Sequence, residues 1–234
     1  MLDTERIARG VYLVGGAQIS HADDATSFVI DFGEEAVMID CGTGRSIETI
    51  LENIEAAGID PRRISTLILT HAHIDHIGAA PELRRRLGLK ILIHELDAEA
   101  AETGDSIRTA ADCYGIDFPP TSIDRKLSGN EETLTFNGEN LRWLHTPGHT
   151  PGSIVILLEC DGQRILFGQD IHGPFMPAFG SDVAQWRTSM EMILALKPDI
   201  LCEGHFGLFR SNDSVERYIR RCLRQHGGRY GVRP

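Results

Sequence analysis

Three histidines and one aspartate lie within six residues, directly after a short apolar segment. They form the sequence His-Ala-His-Ile-Asp-His from His71 to His76, and the preceding run 64–69 is rich in branched side chains, which is typical of a buried strand. Imidazole and carboxylate groups are the ligands that zinc and similar divalent metals prefer. His71 and His73 would point to the same side of a strand end and could share one metal. Asp75 and His76 follow the turn and could face a second ion.

Three further stretches place polar side chains where strands are predicted to end. Residues 146–153 contain two prolines and two glycines, which fix a tight turn that would present His149 rigidly. Asp170 and His205 each follow another apolar segment. Taken singly, each could be an ordinary turn, strand-end or surface residue, and the first segment could be a histidine-rich polar loop. Together they supply a full set of ligands, because a scaffold can bring strand ends to one place.

Composition narrows the range of partners. The chain has 234 residues, enough for one sizeable core, and we predict that residues 1–234 form a single domain. A net charge of −11 argues against a nucleic-acid partner. Five scattered cysteines without a CxxC pair indicate reduced thiols. With a charged N-terminus and no long apolar run, these features predict a cytoplasmic protein without a membrane partner.

Short strands and amphipathic helices are predicted in an order that would position these side chains. Strands are expected over 10–14, 27–31, 35–40, 64–69, 90–93, 132–136, 141–145, 153–158, 164–167 and 200–202. Helices are expected over 45–57, 79–87, 95–103, from a cap at 181 or 182 to 196, and from about 212 onward. Residues 104–130 are less regular, and whether they form a lid beside the site stays open. Two clusters of strands with helices between them favour two packed sheets flanked by helices.

The order of these motifs resembles the metallo-β-lactamase superfamily. Asp40, the His-x-His-x-Asp-His segment, His149, Asp170 and His205 follow the family's order between about residues 10 and 210. The segment 146–153 is most similar to the glyoxalase II (hydroxyacylglutathione hydrolase) group. The resemblance implies an α+β fold, namely a four-layer αββα sandwich in which helices flank two mixed sheets and the metals lie at one edge.

The resemblance also implies a role for each of these side chains. Two zinc ions are expected, with iron or manganese as alternatives. The first metal would be held by His71, His73 and His149, and the second by Asp75, His76 and His205. Asp170 would bridge the two ions. Asp40 would not bind a metal but would orient one of the ligands.

This ligand set predicts a dinuclear metal-dependent hydrolase that acts on an ester-like bond of a small acyl substrate, such as a thioester or a lactone. A hydroxide that bridges the metals would be the nucleophile, and Asp75 would be the catalytic residue that orients or deprotonates it. His172, Phe175 and Phe179 lie in or beside an apolar loop that could form a wall of the substrate pocket. Plain packing is the alternative for that loop.

Other functions stay open at this point. Only residues 206–234 follow His205, which is shorter than the glutathione-binding domain of glyoxalase II, so glutathione thioesters are disfavoured as substrates. The lack of an export signal disfavours β-lactams. The alternatives are an iron-dependent oxidoreductase of the same superfamily, similar to persulfide dioxygenases, and a non-catalytic binding protein that retains the metals. Homo-oligomer formation is left open.

Overall fold

The computed structural model describes residues 4–226, in which two sheets form the centre of the molecule. The first sheet has seven strands in chain order: β1 (Glu5–Ala8), β2 (Val11–Gly15), β3 (Ser27–Asp31), β4 (Ala36–Ile39), β5 (Ile64–Ile68), β6 (Lys90–His94) and β7 (Arg125–Leu127). Strands β1 to β4 pair antiparallel, and β4 to β7 pair parallel. The carboxyl ends of β4, β5 and β6 therefore meet at one edge of this sheet.

The second sheet has six strands, and its members are β8 (Glu131–Phe136), β9 (Glu139–His145), β10 (Ile154–Cys160), β11 (Gln163–Phe167), β12 (Ile200–Glu203) and β13 (Gly207–Arg210). Only the pair β11 and β12 is parallel within it. The turn Asp161-Gly162 joins β10 to β11, with both residues at positive φ, as expected for a two-residue hairpin turn. Both sheets are mixed, as predicted.

Seven α-helices flank the sheets within the described residues: α1 (Ile47–Ala56), α2 (Ile74–Ile77), α3 (Ala80–Leu87), α4 (Glu95–Thr103), α5 (Ala111–Tyr114), α6 (Val183–Leu196) and α7 (Asn212–Gln225). The side chain of Asp182 accepts hydrogen bonds from the first backbone N–H groups of α6, so of the two predicted N-cap residues, Ser181 and Asp182, the second caps the helix. The buried face of α7 carries Val215, Tyr218 and Ile219, at helical spacing.

Three apolar layers hold these elements together. Branched residues of both sheets, such as Ile39 and Ile156, meet between the sheets, where the rings of Phe28 and Phe167 lie 5.2 Å apart. A second layer packs α1, α3 and α4 against the first sheet, and a third packs α6 and α7 against the second. The order helix, sheet, sheet, helix confirms the predicted αββα sandwich.

Several short elements were not predicted from the sequence. Strands β1, β7 and β13 have three or four residues and lie at or beside the ends of the sheets, where polar side chains hide the strand pattern. Helix α2 is a single turn inside the histidine-rich segment. The first three residues and residues 227–234 lie outside the described part. In residues 4–226, no helix combines the length and the apolar character that crossing a membrane requires.

Candidate metal centre

The seven predicted ligands converge at the edge where the carboxyl ends of several strands meet. His71, His73, Asp75 and His76 follow β5. The turn between β9 and β10 carries His149, and the ends of β11 and β12 lead to Asp170 and His205. Their ligand atoms form two groups that share Asp170, and within each group these atoms lie within 4.8 Å of one another.

The first group consists of His71, His73, His149 and Asp170. His73 Nδ1 faces His149 Nε2 at 2.9 Å, and His149 Nε2 lies 3.5 Å from Asp170 Oδ2. Burial lowers the pKa of all three histidines, that of His73 to about 3, so that the imidazoles are neutral and keep a free lone pair. The Nε2 atom of His71 is buried without a hydrogen-bond partner in the described structure, and His73 faces the group with Nδ1. A divalent metal suits these donors, since buried polar atoms are otherwise almost always paired.

The second group consists of Asp75, His76, Asp170 and His205. His205 Nε2 lies 3.2 Å from Asp75 Oδ2 and from Asp170 Oδ1, and His76 Nε2 lies 3.1 Å from Asp170 Oδ1. Burial lowers the pKa of both histidines, but the neighbouring carboxylates, led by Asp170, outweigh it; they raise the pKa of His205 to about 10 and that of His76 well above its usual range. A divalent cation would satisfy the same carboxylates and displace protons from the imidazoles.

Asp170 lies between the two groups. Its Oδ1 faces His76 and His205, whereas its Oδ2 faces His149. Gly204 makes this arrangement possible, because a Cβ at that position would come within 2.3 Å of Asp170 Oδ1. The two carboxylate oxygens of one side chain are thus available to two neighbouring cation sites.

This geometry agrees with the known proteins that the chain matches. The family model of the metallo-beta-lactamase superfamily matches residues 22–205. The chain belongs to the metallo-beta-lactamase superfamily.

Relatives and solved structures support this assignment. The probable metallo-hydrolase YflN of Bacillus subtilis is 28% identical over 202 residues, which cover 72% of this chain and 74% of that protein. The hydroxyacylglutathione hydrolase GloC of Haemophilus influenzae is 34% identical over 130 residues, 55% of this chain and 58% of the relative. A HARLDQ-motif mutant of the metallo-beta-lactamase from Cronobacter sakazakii superimposes with a TM-score of 0.82 at 23% identity, over 97% of this chain and 96% of that chain, and shows the fold. With the two ligand groups, these matches support a metal-dependent hydrolase of the superfamily, as the sequence predicts.

The hydrogen atoms of three histidines can be assigned from their acceptors. His76 Nδ1 lies 2.7 Å from Asp40 Oδ2, and His149 Nδ1 lies 2.9 Å from the carbonyl oxygen of Pro174. Since a carboxylate and a carbonyl only accept, both Nδ1 atoms carry the hydrogen. Thr70 Oγ1 donates to Asp40 Oδ2 at 2.7 Å, so it accepts from His71 Nδ1 at 3.1 Å. Each of the three rings therefore keeps Nε2 free for a metal.

Asp40 is the centre of this arrangement. Its backbone has the left-handed φ of 53°, and its Oδ1 accepts the backbone N–H of Thr70 at 2.8 Å. This strained conformation directs the carboxylate toward His76 and Thr70.

We expect Asp40→Asn to weaken metal binding at the second group by about 10- to 100-fold. An amide NH₂ that faces His76 Nδ1 would force the hydrogen of that ring onto Nε2, where it blocks coordination. Competition with a chromophoric chelator measures the affinity of each site. The exposed Asp117→Asn provides the matched control, and an unchanged affinity in Asp40→Asn would contradict the tautomer assignment.

Asp97, which was not predicted as a site residue, joins the two loops that carry most of the first group. Its buried carboxylate accepts from the backbone N–H of Ala72 at 3.0 Å, from Thr150 Oγ1 at 2.7 Å and from the N–H of Gly152 at 2.7 Å. Because it is one of several acidic residues in α4, no pattern in the sequence distinguishes it from its solvated neighbours.

A cavity of about 440 Å³ opens beside the two groups. Four of the candidate ligands form its floor, namely His73, Asp75, Asp170 and His205. Its walls include Ala110, Tyr114, Met176 and Phe179. The predicted pocket residues His172 and Phe179 line this cavity, whereas Phe175 does not; its ring packs 4.9 Å from that of Trp186 instead. The irregular segment 104–130 contributes Ala110, Cys113 and Tyr114, so it borders the site.

Proposed function

We propose that the protein is a dinuclear zinc hydrolase that cleaves an ester-like bond, a thioester or a lactone, in a small and largely apolar acyl compound. The observation that carries the proposal is the position of Asp170, whose two oxygens face different ligand groups. A carboxylate shared in this way suits two adjacent divalent ions. A site for a single ion would need only one of the two ligand groups. Iron or manganese are alternatives to zinc, since the donors are imidazole and carboxylate.

Two bound divalent ions would supply Lewis-acid chemistry, lowering the pKa of water and polarising the oxygen of the scissile bond. The chain's own contribution begins with neutral Nε2 atoms held in place by Asp40 and by the Pro174 carbonyl. Asp75 lines the cavity, and its carboxylate would orient the attacking water and accept its proton. The buried position of the floor limits access of bulk water, which strengthens these electrostatic effects.

The walls of the cavity support an apolar acyl substrate. Ala110, Pro174, Met176 and Phe179 contribute apolar surface. Within the described residues that line the cavity, no lysine or arginine is present to pair with the carboxylates of glutathione. The relationship to GloC covers about half of the chain and supports thioesters in general. We therefore propose that the protein shares with glyoxalase II the hydrolysis of a thioester-like bond, but that its substrate does not contain glutathione.

The proposal includes a cytoplasmic location without nucleic-acid or membrane partners. It is supported by the net charge of −11 and by five cysteines that are all free thiols.

Metal analysis and a substrate panel test the proposal. The protein loaded with zinc and then dialysed should contain two ions per chain by mass spectrometry. It should hydrolyse simple acyl thioesters or lactones, compared in parallel with a glutathione thioester, a β-lactam and a phosphodiester. One ion or fewer per chain, or cleavage of the phosphodiester alone, would contradict the proposal. Oxygen consumption with a persulfide by the iron-loaded protein would favour the oxidoreductase alternative.

We expect Phe179→Ala to raise KM by about tenfold with little change in kcat, because an apolar wall binds ground state and transition state similarly. The Phe179 ring is buried and lies 4.5 Å from that of His73, at the cavity wall. Steady-state kinetics with the best acyl substrate, together with zinc content, measure the effect.

Phe175→Ala is the matched control for this prediction. Its ring packs against Trp186 outside the cavity wall, so its loss should lower the free energy of unfolding by about 2 kcal/mol and leave KM unchanged. A larger KM effect from Phe175→Ala than from Phe179→Ala would contradict the observed orientation of the loop.

A further inference from the structure

Tyr114 contacts the metal centre although it belongs to neither ligand group. It is the last residue of α5, and its hydroxyl donates a hydrogen bond to Asp75 Oδ2 at 3.1 Å. The side chain is half-buried and lines the cavity. The same oxygen of Asp75 faces His205 Nε2 at 3.2 Å and His76 Nε2 at 3.9 Å. Tyr114 therefore contacts the carboxylate that, in the proposed function, orients and deprotonates the attacking water.

The backbone around Tyr114 is tied to the rest of the site. Its carbonyl oxygen accepts from Arg45 Nη2 at 2.9 Å, and Gly115 ends the short helix in the left-handed conformation. The backbone N–H of Ile74, next to Asp75, donates to the carbonyl oxygen of Thr109 at 2.7 Å. The segment that carries Tyr114 and the loop that carries Asp75 are thus linked by backbone contacts, so the phenol is presented at a fixed distance from the carboxylate.

We propose that Tyr114 is a positioning residue that holds the Asp75 carboxylate in the orientation needed for hydrolysis. A carboxylate can rotate about its last bond, and the phenol of Tyr114 donates a hydrogen bond to it at neutral pH without adding charge. One such bond to a charged group is sufficient to select one rotamer of the carboxylate. The inference rests on the proposed function, in which Asp75 handles the water.

The test compares Tyr114→Phe with Tyr12→Phe, a control that removes the hydroxyl from a half-buried tyrosine of β2 outside the site. Both variants are loaded with cobalt(II), whose ligand-field spectrum reports the geometry of its ligands. We expect Tyr114→Phe to retain two ions per chain but to change the spectrum. With an acyl substrate, kcat should fall by about 10- to 100-fold at unchanged KM. Tyr12→Phe should match the wild type in each measurement.

The possible results separate positioning from other roles. A raised KM at unchanged kcat would make Tyr114 a substrate contact, and loss of one ion would make it a support for metal binding; both results overturn the proposal. An unchanged spectrum in Tyr114→Phe overturns it as well. If the wild-type protein hydrolyses no acyl substrate, the proposed function fails, and the cobalt spectrum still decides whether Tyr114 holds Asp75.

Discussion

Asp170→Ala is expected to lower the zinc content from two ions per chain to well below one. The side chain contributes one oxygen to each ligand group, so its removal takes a donor from both. It also removes the buried negative charge that lies 3.1 Å from His76 and 3.2 Å from His205. Mass spectrometry of the dialysed variant, with circular dichroism to verify the fold, measures the loss.

His205→Ala supplies the contrast, since His205 belongs to the second group alone. We expect this variant to keep about one ion per chain, held by the three buried histidines of the first group. The surface variant Asp213→Ala, in the first turn of α7, controls for metal lost during dialysis. Retention of two ions by Asp170→Ala, or equal loss of both ions from His205→Ala, would contradict the shared-carboxylate arrangement.

The candidate metal ligands could be identified in the sequence because their pattern is local and their scaffold is regular. The spacing of His71 and His73 reflects the two-residue period of a strand end, and it requires no knowledge of tertiary structure. Taken alone, neither Asp170 nor His205 can be assigned a role from its local sequence. The order of the strands predicts that both lie at the same site. The parallel pairing of β11 and β12 brings the two strand ends to the same edge.

Other features of the site could not be predicted, for physical reasons that differ from case to case. Asp97 resembles its solvated neighbours in α4, and its role depends on three donors that come from two distant loops. Tyr114 lies in a segment without apolar periodicity. Phe175 and Phe179 belong to a loop with an irregular backbone. Because such a loop has no helical or strand periodicity, its sequence does not predict which ring faces the cavity. The structure turns Phe179 toward the cavity and Phe175 toward Trp186.

Asp75→Asn is expected to lower kcat for an acyl substrate by about 10²- to 10⁴-fold, the range for the loss of a general base. The substitution preserves the size of the side chain, but an amide does not accept a proton from water at neutral pH. The pKa of Asp75 is lowered, because the neighbouring imidazoles outweigh the effect of burial, which raises it; the carboxylate is therefore ionised at neutral pH.

The zinc content of Asp75→Asn determines how its activity is interpreted. Since Asp75 is also a member of the second ligand group, activity is compared at saturating zinc and at equal occupancy. The exposed Asp112→Asn, two residues before Tyr114 on α5, is the matched control, because it makes the same chemical change beside the cavity and should keep full activity. A fully loaded Asp75→Asn protein that retains more than about a tenth of the wild-type kcat would exclude Asp75 as the base, since a positioned general base contributes at least about a hundredfold. Another group would then have to accept the proton of the attacking water.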